Sequence, residues 1–327
     1  MKLKAMKKLV LLVAFVGFVF SLNAQTANEA VEALKQAVAK SQAKDYLGAV
    51  EQFNLCVSIY DQLGETENEN RKTAVEQITN MQYKHALGLY KEKKYDESIA
   101  AFQTLAEYSE KYNDQDNLKK ANKVIPQLYY FKGKDLLDAK DYDAALEALN
   151  KSIELEFDYP NSHLRKAQLF EEKGDEANFK AAIDDAIKAS TAKKDSKSED
   201  AAKTMAGNYY LKAGADAFKA EKYGDAEKYF NIYGEYKEMD SDIYYQLSAT
   251  YNKLSKWDDA ITAANKSLEM LGDANGSNKD ARIYFELGNS YYGKGDNTAA
   301  CDAYSKAAKG DYEASAKYQM EQVIKCN

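Results

Sequence analysis

The chain has 327 residues, 45% of them hydrophobic and 30% charged, with 52 acidic against 45 basic side chains and a formal charge of −7. An acidic chain whose lysines are scattered among acids, and whose only arginines are Arg71, Arg165 and Arg282, offers neither a basic block for nucleic acid nor an arginine cluster for phosphates. Two prolines, few alternating apolar runs and an abundance of Ala, Lys, Glu, Leu and Tyr point to an all-α chain rather than a sheet protein.

At the N-terminus, Lys2, Lys4, Lys7 and Lys8 precede an apolar run from Leu9 to Phe20, and Ser21-Leu22-Asn23-Ala24 follows. That order reads as a signal peptide over residues 1–24, although Leu22 is larger than the small residue preferred before a cleavage point. The run falls short of the ~20 apolar residues that a spanning helix needs, and no cysteine ends it, so neither a membrane span nor lipidation is expected. Its removal takes away four lysines and no acid, moving the charge from −7 to −11. The expectation is an exported, soluble chain, located in the periplasm of a Gram-negative bacterium.

From residue 25 onward the sequence repeats. Each unit has a small residue on a first helix, a second small residue twelve positions later on a second helix, and packing residues four and seven beyond that. Ala37 leads to Ala49, Phe53 and Cys56, and Ala86 to Ser98, Phe102 and Leu105. Gly133 leads to Ala145, Leu149 and Ser152, and Gly214 to Ala226, Phe230 and Tyr233. Ser248 leads to Ala260, Ala264 and Ser267, and Gly288 to Ala300, Tyr304 and Ala307. A further unit, Ala167 to Ala182, Ala186 and Ala189, fits only with a turn three residues longer near Gly174–Phe179. The turns agree with one another: Asp45-Tyr46, Lys94-Tyr95, Asp141-Tyr142, Lys222-Tyr223, Lys256-Trp257 and Gly295-Asp296. A helical hairpin cannot bury both of its faces alone, so such units imply a stack.

Four repeats are expected over 25–190, a polar linker or hinge at 191–200 (TAKKDSKSED), three repeats over 201–310, and a capping helix over 311–327. The stretches GETENENRK (64–72), KYNDQDN (111–117) and GDANGSNKD (272–280) read as further exposed connections. Pro160 suits a helix start, whereas Pro126 would kink or open the helix that holds it.

The pattern resembles the tetratricopeptide repeat family, most clearly in YYQLSATYNKLSKWDDAITAANKSLEM (244–270) and YFELGNSYYGKGDNTAACDAYSKAA (284–308). KYDESIAAFQTLAE (94–107) and KDYDAALEALNKSIEL (140–155) supply second-helix halves. The resemblance implies a right-handed α-solenoid of about seven helix-turn-helix repeats with a C-terminal capping helix. The units are spaced more widely than the family's basic repeat of ~34 residues, so the stack is expected to be irregular in its first half.

Chemistry is sparse. Cys56 falls on an apolar helical position and reads as core. Cys301 and Cys326 could pair if the last helix folds back, but counting from the turn near Gly310 leaves them out of register. His85 and His163, the only histidines, have no serine, cysteine or carboxylate arrangement beside them and read as structural. No phosphate-binding loop, nucleophile elbow or zinc motif occurs, and pairs such as Asp184–Asp185 diverge on a helix. No enzyme activity, cofactor or metal is expected.

In the family the groove is built mostly from first helices, and the position three before the small residue faces it. Here that position holds Leu34, Tyr83, Tyr130, Leu164, Leu211, Tyr245 and Phe285. Tyrosine combines a rigid apolar face with a hydroxyl and suits peptide capture, but the same residues could instead pack between repeats. Asn289 matches one asparagine of the family's carboxylate clamp, yet Phe285 stands where a lysine partner would be, which argues against that clamp. The resemblance implies a protein or peptide partner held in the groove. An assembly component using its convex face or ends, and a carbohydrate binder or enzyme with a deep pocket, are the alternatives.

Overall fold

The computed structural model describes residues 26–272 and 278–326; the expected signal peptide lies outside them. Fourteen helices pair as seven hairpins. They are α1 (Ala27–Gln42) with α2 (Tyr46–Gln62), α3 (Glu69–Lys91) with α4 (Tyr95–Lys111), α5 (Gln115–Asp138) with α6 (Tyr142–Leu155), and α7 (Pro160–Lys173) with α8 (Glu176–Lys193). The rest are α9 (Ser196–Lys219) with α10 (Tyr223–Tyr236), α11 (Ser241–Lys253) with α12 (Trp257–Leu271), and α13 (Asn278–Lys294) with α14 (Asn297–Ala307). A 3-10 turn (Gly310–Tyr312), α15 (Glu313–Tyr318) and a π-helical turn (Gln319–Ile324) follow. No strand occurs among the described residues, as expected of an all-α chain.

The turns explain why each hairpin folds where it does. The seven hairpins turn through a left-handed residue, at Lys44, Lys93, Lys140, Gly174, Glu221, Ser255 and Gly295. A residue that begins the next helix follows at once. Where that residue is aspartate it caps the helix: Asp45 accepts from the Gly48 amide at 3.0 Å, and Asp296 from Ala299 at 3.0 Å. Five of the seven left-handed residues carry a side chain, each at a conformational cost of roughly 1–2 kcal/mol that packing of the hairpin offsets.

The small residues mark close helix approach. A Cβ placed on Gly133 would lie 2.7 Å from Leu149, on Gly214 2.6 Å from Phe230, and on Gly288 2.7 Å from Tyr304. The first helix therefore meets the large residue sixteen positions on, rather than only the small one at twelve. Of the four hairpins with alanine or serine in place of glycine, two tie the same crossing by hydrogen bonds. Ser98 Oγ donates to the Ala86 carbonyl at 2.9 Å, and Ser248 Oγ donates to the Ala260 carbonyl at 3.0 Å.

The fourth hairpin differs from its expected register. No longer turn exists there, because left-handed Gly174 follows Ala167 by seven residues, as the left-handed residue follows the small one in the other hairpins. The position twelve after Ala167 is Phe179, fully buried, and not a small residue at all. Its ring is accommodated by a tyrosine neighbourhood, with Tyr209 at 4.3 Å and Tyr210 at 6.1 Å. Extra spacing in the chain goes into first helices, since α3, α5 and α9 run to 23, 24 and 24 residues.

Residues 191–200 are also not a linker. α8 continues to Lys193, Lys194 and Asp195 make the turn, and α9 begins at Ser196. The polar residues there serve capping: Asp195 accepts from the Ser198 amide at 3.1 Å and from its hydroxyl at 2.7 Å. The chain instead divides into two compact units after Leu128, within α5 and two residues beyond Pro126. Pro160 opens α7, as expected.

Within the first unit, Ala30, Ala37, Phe53, Cys56, Ile59, Tyr60 and Ile78 form the core, and the buried Cys56 thiol is pushed up to about 11. Burying a side chain such as Phe53 is worth roughly 1.5–3 kcal/mol. Within the second unit, α6 packs on α7, α8 on α9, α10 on α11 and α12 on α13. The tail then covers α14 through Ala316, Met320 and Ile324.

Cys301 and Cys326 are disulfide-bonded, with Cα atoms 5.9 Å apart. A straight helix would leave them out of register. The actual tail bends at Gly310 (φ +54), widens into the π-helical turn and ends at left-handed Lys325, which brings Cys326 back over α14.

Candidate peptide-binding face

The first-helix residues singled out in sequence occupy three different environments. In the first unit, Leu34 packs against the core and Tyr83 sets its ring edge-on to Phe102 at 5.9 Å, with Lys120 Nζ 5.6 Å above it. In the second unit, Tyr130 packs edge-on to Phe131 (5.1 Å) and Tyr159 (5.4 Å). Leu164 is half-buried, whereas Leu211 is 37% exposed.

Tyr245, Phe285 and Asn289 are brought together in the last two hairpins. The Arg282 guanidinium lies 4.3 Å over the Tyr245 ring, and burial, with the neighbouring Tyr312 adding to it, drives the Tyr245 hydroxyl well above its ordinary range. Phe285 sits between Tyr304 (5.4 Å) and Tyr312 (5.3 Å). Asn289 is engaged internally at both ends: its Oδ1 accepts from the Tyr304 hydroxyl at 2.7 Å, and its Nδ2 donates to Glu286 at 3.1 Å.

A feature missed in sequence lies between α7 and the first half of α9. A groove of about 540 Å³ is lined by Glu171, Lys197, Asp200, Ala201, Thr204, Met205 and Asn208. Lys197, Asp200, Ala201, Thr204, Asn208 and Leu211 recur at helical spacing and form one exposed stripe of α9. Burial holds the Glu171 carboxyl above its usual range, with Glu172 adding to the effect and Lys212 opposing it. The available signal was the three-to-four residue spacing inside SKSEDAAKTMAGN, which continues into Tyr209, Tyr210 and Leu211 as one helix.

The histidines serve packing. His163 is buried, its Nε2 lies 2.7 Å from the Phe157 carbonyl oxygen, and its ring packs edge-on to Phe157 at 5.0 Å. Burial lowers its affinity for a proton, and lowers that of the half-buried His85 in the same way. Among the described residues, no group of three or more His, Cys, Asp or Glu side chains is placed to hold a metal ion, and no helix is long and apolar enough to cross a membrane.

The family profile of the tetratricopeptide repeat matches residues 130–194 and 253–317. No curated protein sequence matches the chain. Among solved structures, the chain is similar to YrrB, a TPR protein described as having an unusual peptide-binding site, at 16% identity over 60% of this chain and 91% of that one, with a TM-score of 0.34. It is similar to the TPR2AB-domain:pHSP90-complex of yeast Sti1 at 16% identity, over 92% of this chain and 97% of that one, with a TM-score of 0.30. A tetratricopeptide repeat protein from Parabacteroides merdae is 11% identical over 92% of this chain and 100% of its own, with a TM-score of 0.30.

Proposed function

Because the chain is a protein of the tetratricopeptide repeat family, we propose that it is a non-catalytic protein-interaction scaffold that holds a peptide or extended protein segment along the first-helix face of its hairpins. The observation carrying this reading is the open groove between α7 and α9, where an exposed stripe with both charges, amide and hydroxyl groups ends in the exposed Leu211. A surface of that kind offers apolar contact and hydrogen bonding to an extended chain without the enclosed, converging polar groups of a reaction site. The charged and apolar segments of residues 1–24 support export, and we assign the scaffold to the cell envelope of a Gram-negative bacterium.

The test is capture from an envelope fraction by the chain lacking residues 1–24, followed by affinity measurement with the purified partner. Leu211→Asp combined with Asn208→Ala is expected to weaken that affinity at least about tenfold with helicity unchanged. Unaltered affinity overturns the groove.

A second reading, an assembly component using the end of the stack, draws on four exposed aliphatic residues of the first hairpin, Val38, Leu47, Leu55 and Leu63. It expects Leu47→Glu to change the sedimentation behaviour while the groove variant is silent.

A further inference from the structure

The last two hairpins carry a first-helix face that the chain's own tail already covers. After α14 the backbone turns at Gly310, where a side chain would meet Asn278, and lays residues 309–312 on α13. Lys309 Nζ donates to Asp280 Oδ2 at 2.6 Å, and that carboxylate side chain is only 3% exposed. Asp311 accepts from Asn278 Nδ2 at 3.2 Å. Tyr312 packs on Phe285, and its side chain reaches past α13 far enough to act on the Tyr245 hydroxyl of α11. Covering the apolar end of the stack needs none of this, since Ala316, Met320 and Ile324 already pack there.

The surroundings of Tyr312 have the makings of a recognition site. Phe285 supplies an aromatic wall and Tyr245 a buried hydroxyl. Arg282 Nε is buried without a hydrogen-bond acceptor, a donor still to be satisfied. Asp280 adds a buried carboxylate that receives the Lys309 ammonium. We propose that Tyr245, Arg282 and Phe285 form a subsite for a tyrosine of an extended protein segment carrying a lysine three residues earlier, and that Lys309–Tyr312 occupies it as a stand-in ligand. The proposal rests on the scaffold reading and names the chemistry of the segment. The Cys301–Cys326 bond keeps the stand-in at high local concentration, so an outside segment competes at a disadvantage while it is intact.

The test uses a fluorescently labelled peptide of residues 308–316 (AKGDYEASA) and anisotropy titration against the full chain. Tyr312→Ala with the disulfide kept is expected to bind the peptide at least about tenfold more tightly than the wild type, and Tyr312→Ala/Cys326→Ser more tightly again. The single variant retains the cap contacts of Ala316, Met320 and Ile324, so it reports even if the double variant loses its last hairpin. Adding Phe285→Ala, or replacing the peptide's tyrosine by alanine, is expected to remove the gain. The proposal is overturned if folded Tyr312→Ala binds no better than the wild type, or if Phe285→Ala leaves binding intact. A tail-swapped dimer of Cys326→Ser in sedimentation, without peptide binding by Tyr312→Ala, would give the face to a second copy and likewise overturn it. Failure here leaves the groove at Leu211 untouched, and failure there leaves this titration unaffected.

Discussion

Asn289 shows how one side chain can look like a ligand-binding residue and serve as a strut. Its carbonyl oxygen receives the hydroxyl of the buried Tyr304, and its amide reaches Glu286. Truncating it leaves a hydroxyl stranded in the core of the last hairpin. Asn289→Ala is therefore expected to destabilise the chain by about 1–3 kcal/mol, measured by denaturant unfolding. A stability equal to the wild type would return Asn289 to the role of a binding residue. The histidines give a second test at this scale. Burial depresses the proton affinity of both rings below that of a free imidazole, whose pKa is about 6.5. A group depressed in the folded state favours folding fully above its unfolded value, and that contribution is lost as the pH falls through the folded one. Stability should decline as the pH drops below 6.5, and NMR titration should place both ring midpoints under that value. A midpoint at or above 6.5 for His163 would mean that the Phe157 carbonyl, which favours the protonated ring, outweighs burial there.

Among the helices, the crossing of first and second members depends on what faces the small position. Gly288 lies against the Tyr304 ring, so Gly288→Ala must push a buried tyrosine aside, at about 1–3 kcal/mol. Gly88 sits in α3 with nothing within 4 Å of an added Cβ. There Gly→Ala is expected to stabilise by roughly 0.5–1 kcal/mol through helix propensity alone. Opposite signs in paired denaturant melts would separate packing from propensity; equal effects would refute the close crossing. The same positions explain what sequence can reveal. Seven hairpins were legible because turn, small residue and large residue recur at fixed offsets. The fourth register was misread because Phe179 stands where the other hairpins have a small residue, and a buried alanine, Ala182, drew the pattern three positions on. Residues 191–200 resembled a linker because capping and connecting use the same side chains, Asp, Ser and Lys. The candidate faces were legible as helix positions but not as open or closed. Whether Phe285 meets solvent depends on Tyr312, twenty-seven residues on, at the far side of a bend that no local rule specifies.

On the scale of the molecule, stability within the second unit is assembled from neighbours: each hairpin packs on the next, and the tail ends the series by covering α14. In such an array a local perturbation should spread only as far as the next interface. The Cys301–Cys326 bond closes a separation of 25 residues, a constraint worth about 3 kcal/mol on loop entropy. Its reduction by a dithiol should therefore release the tail and loosen α13 and α14, which lose the covering of Ala316, Met320 and Ile324. The fourth and fifth hairpins should hold, because their joint is built from Phe179, Tyr210, Tyr229 and Tyr236 and tied by Glu176 and Asp184. Hydrogen exchange followed by mass spectrometry reads this directly. Faster exchange is expected over 278–326 after reduction, with α7 to α10 unchanged. Uniform acceleration across residues 160–326 would mean that the second unit opens as one cooperative body, and the tail would then be a keystone of the whole unit rather than the cover of its last hairpin.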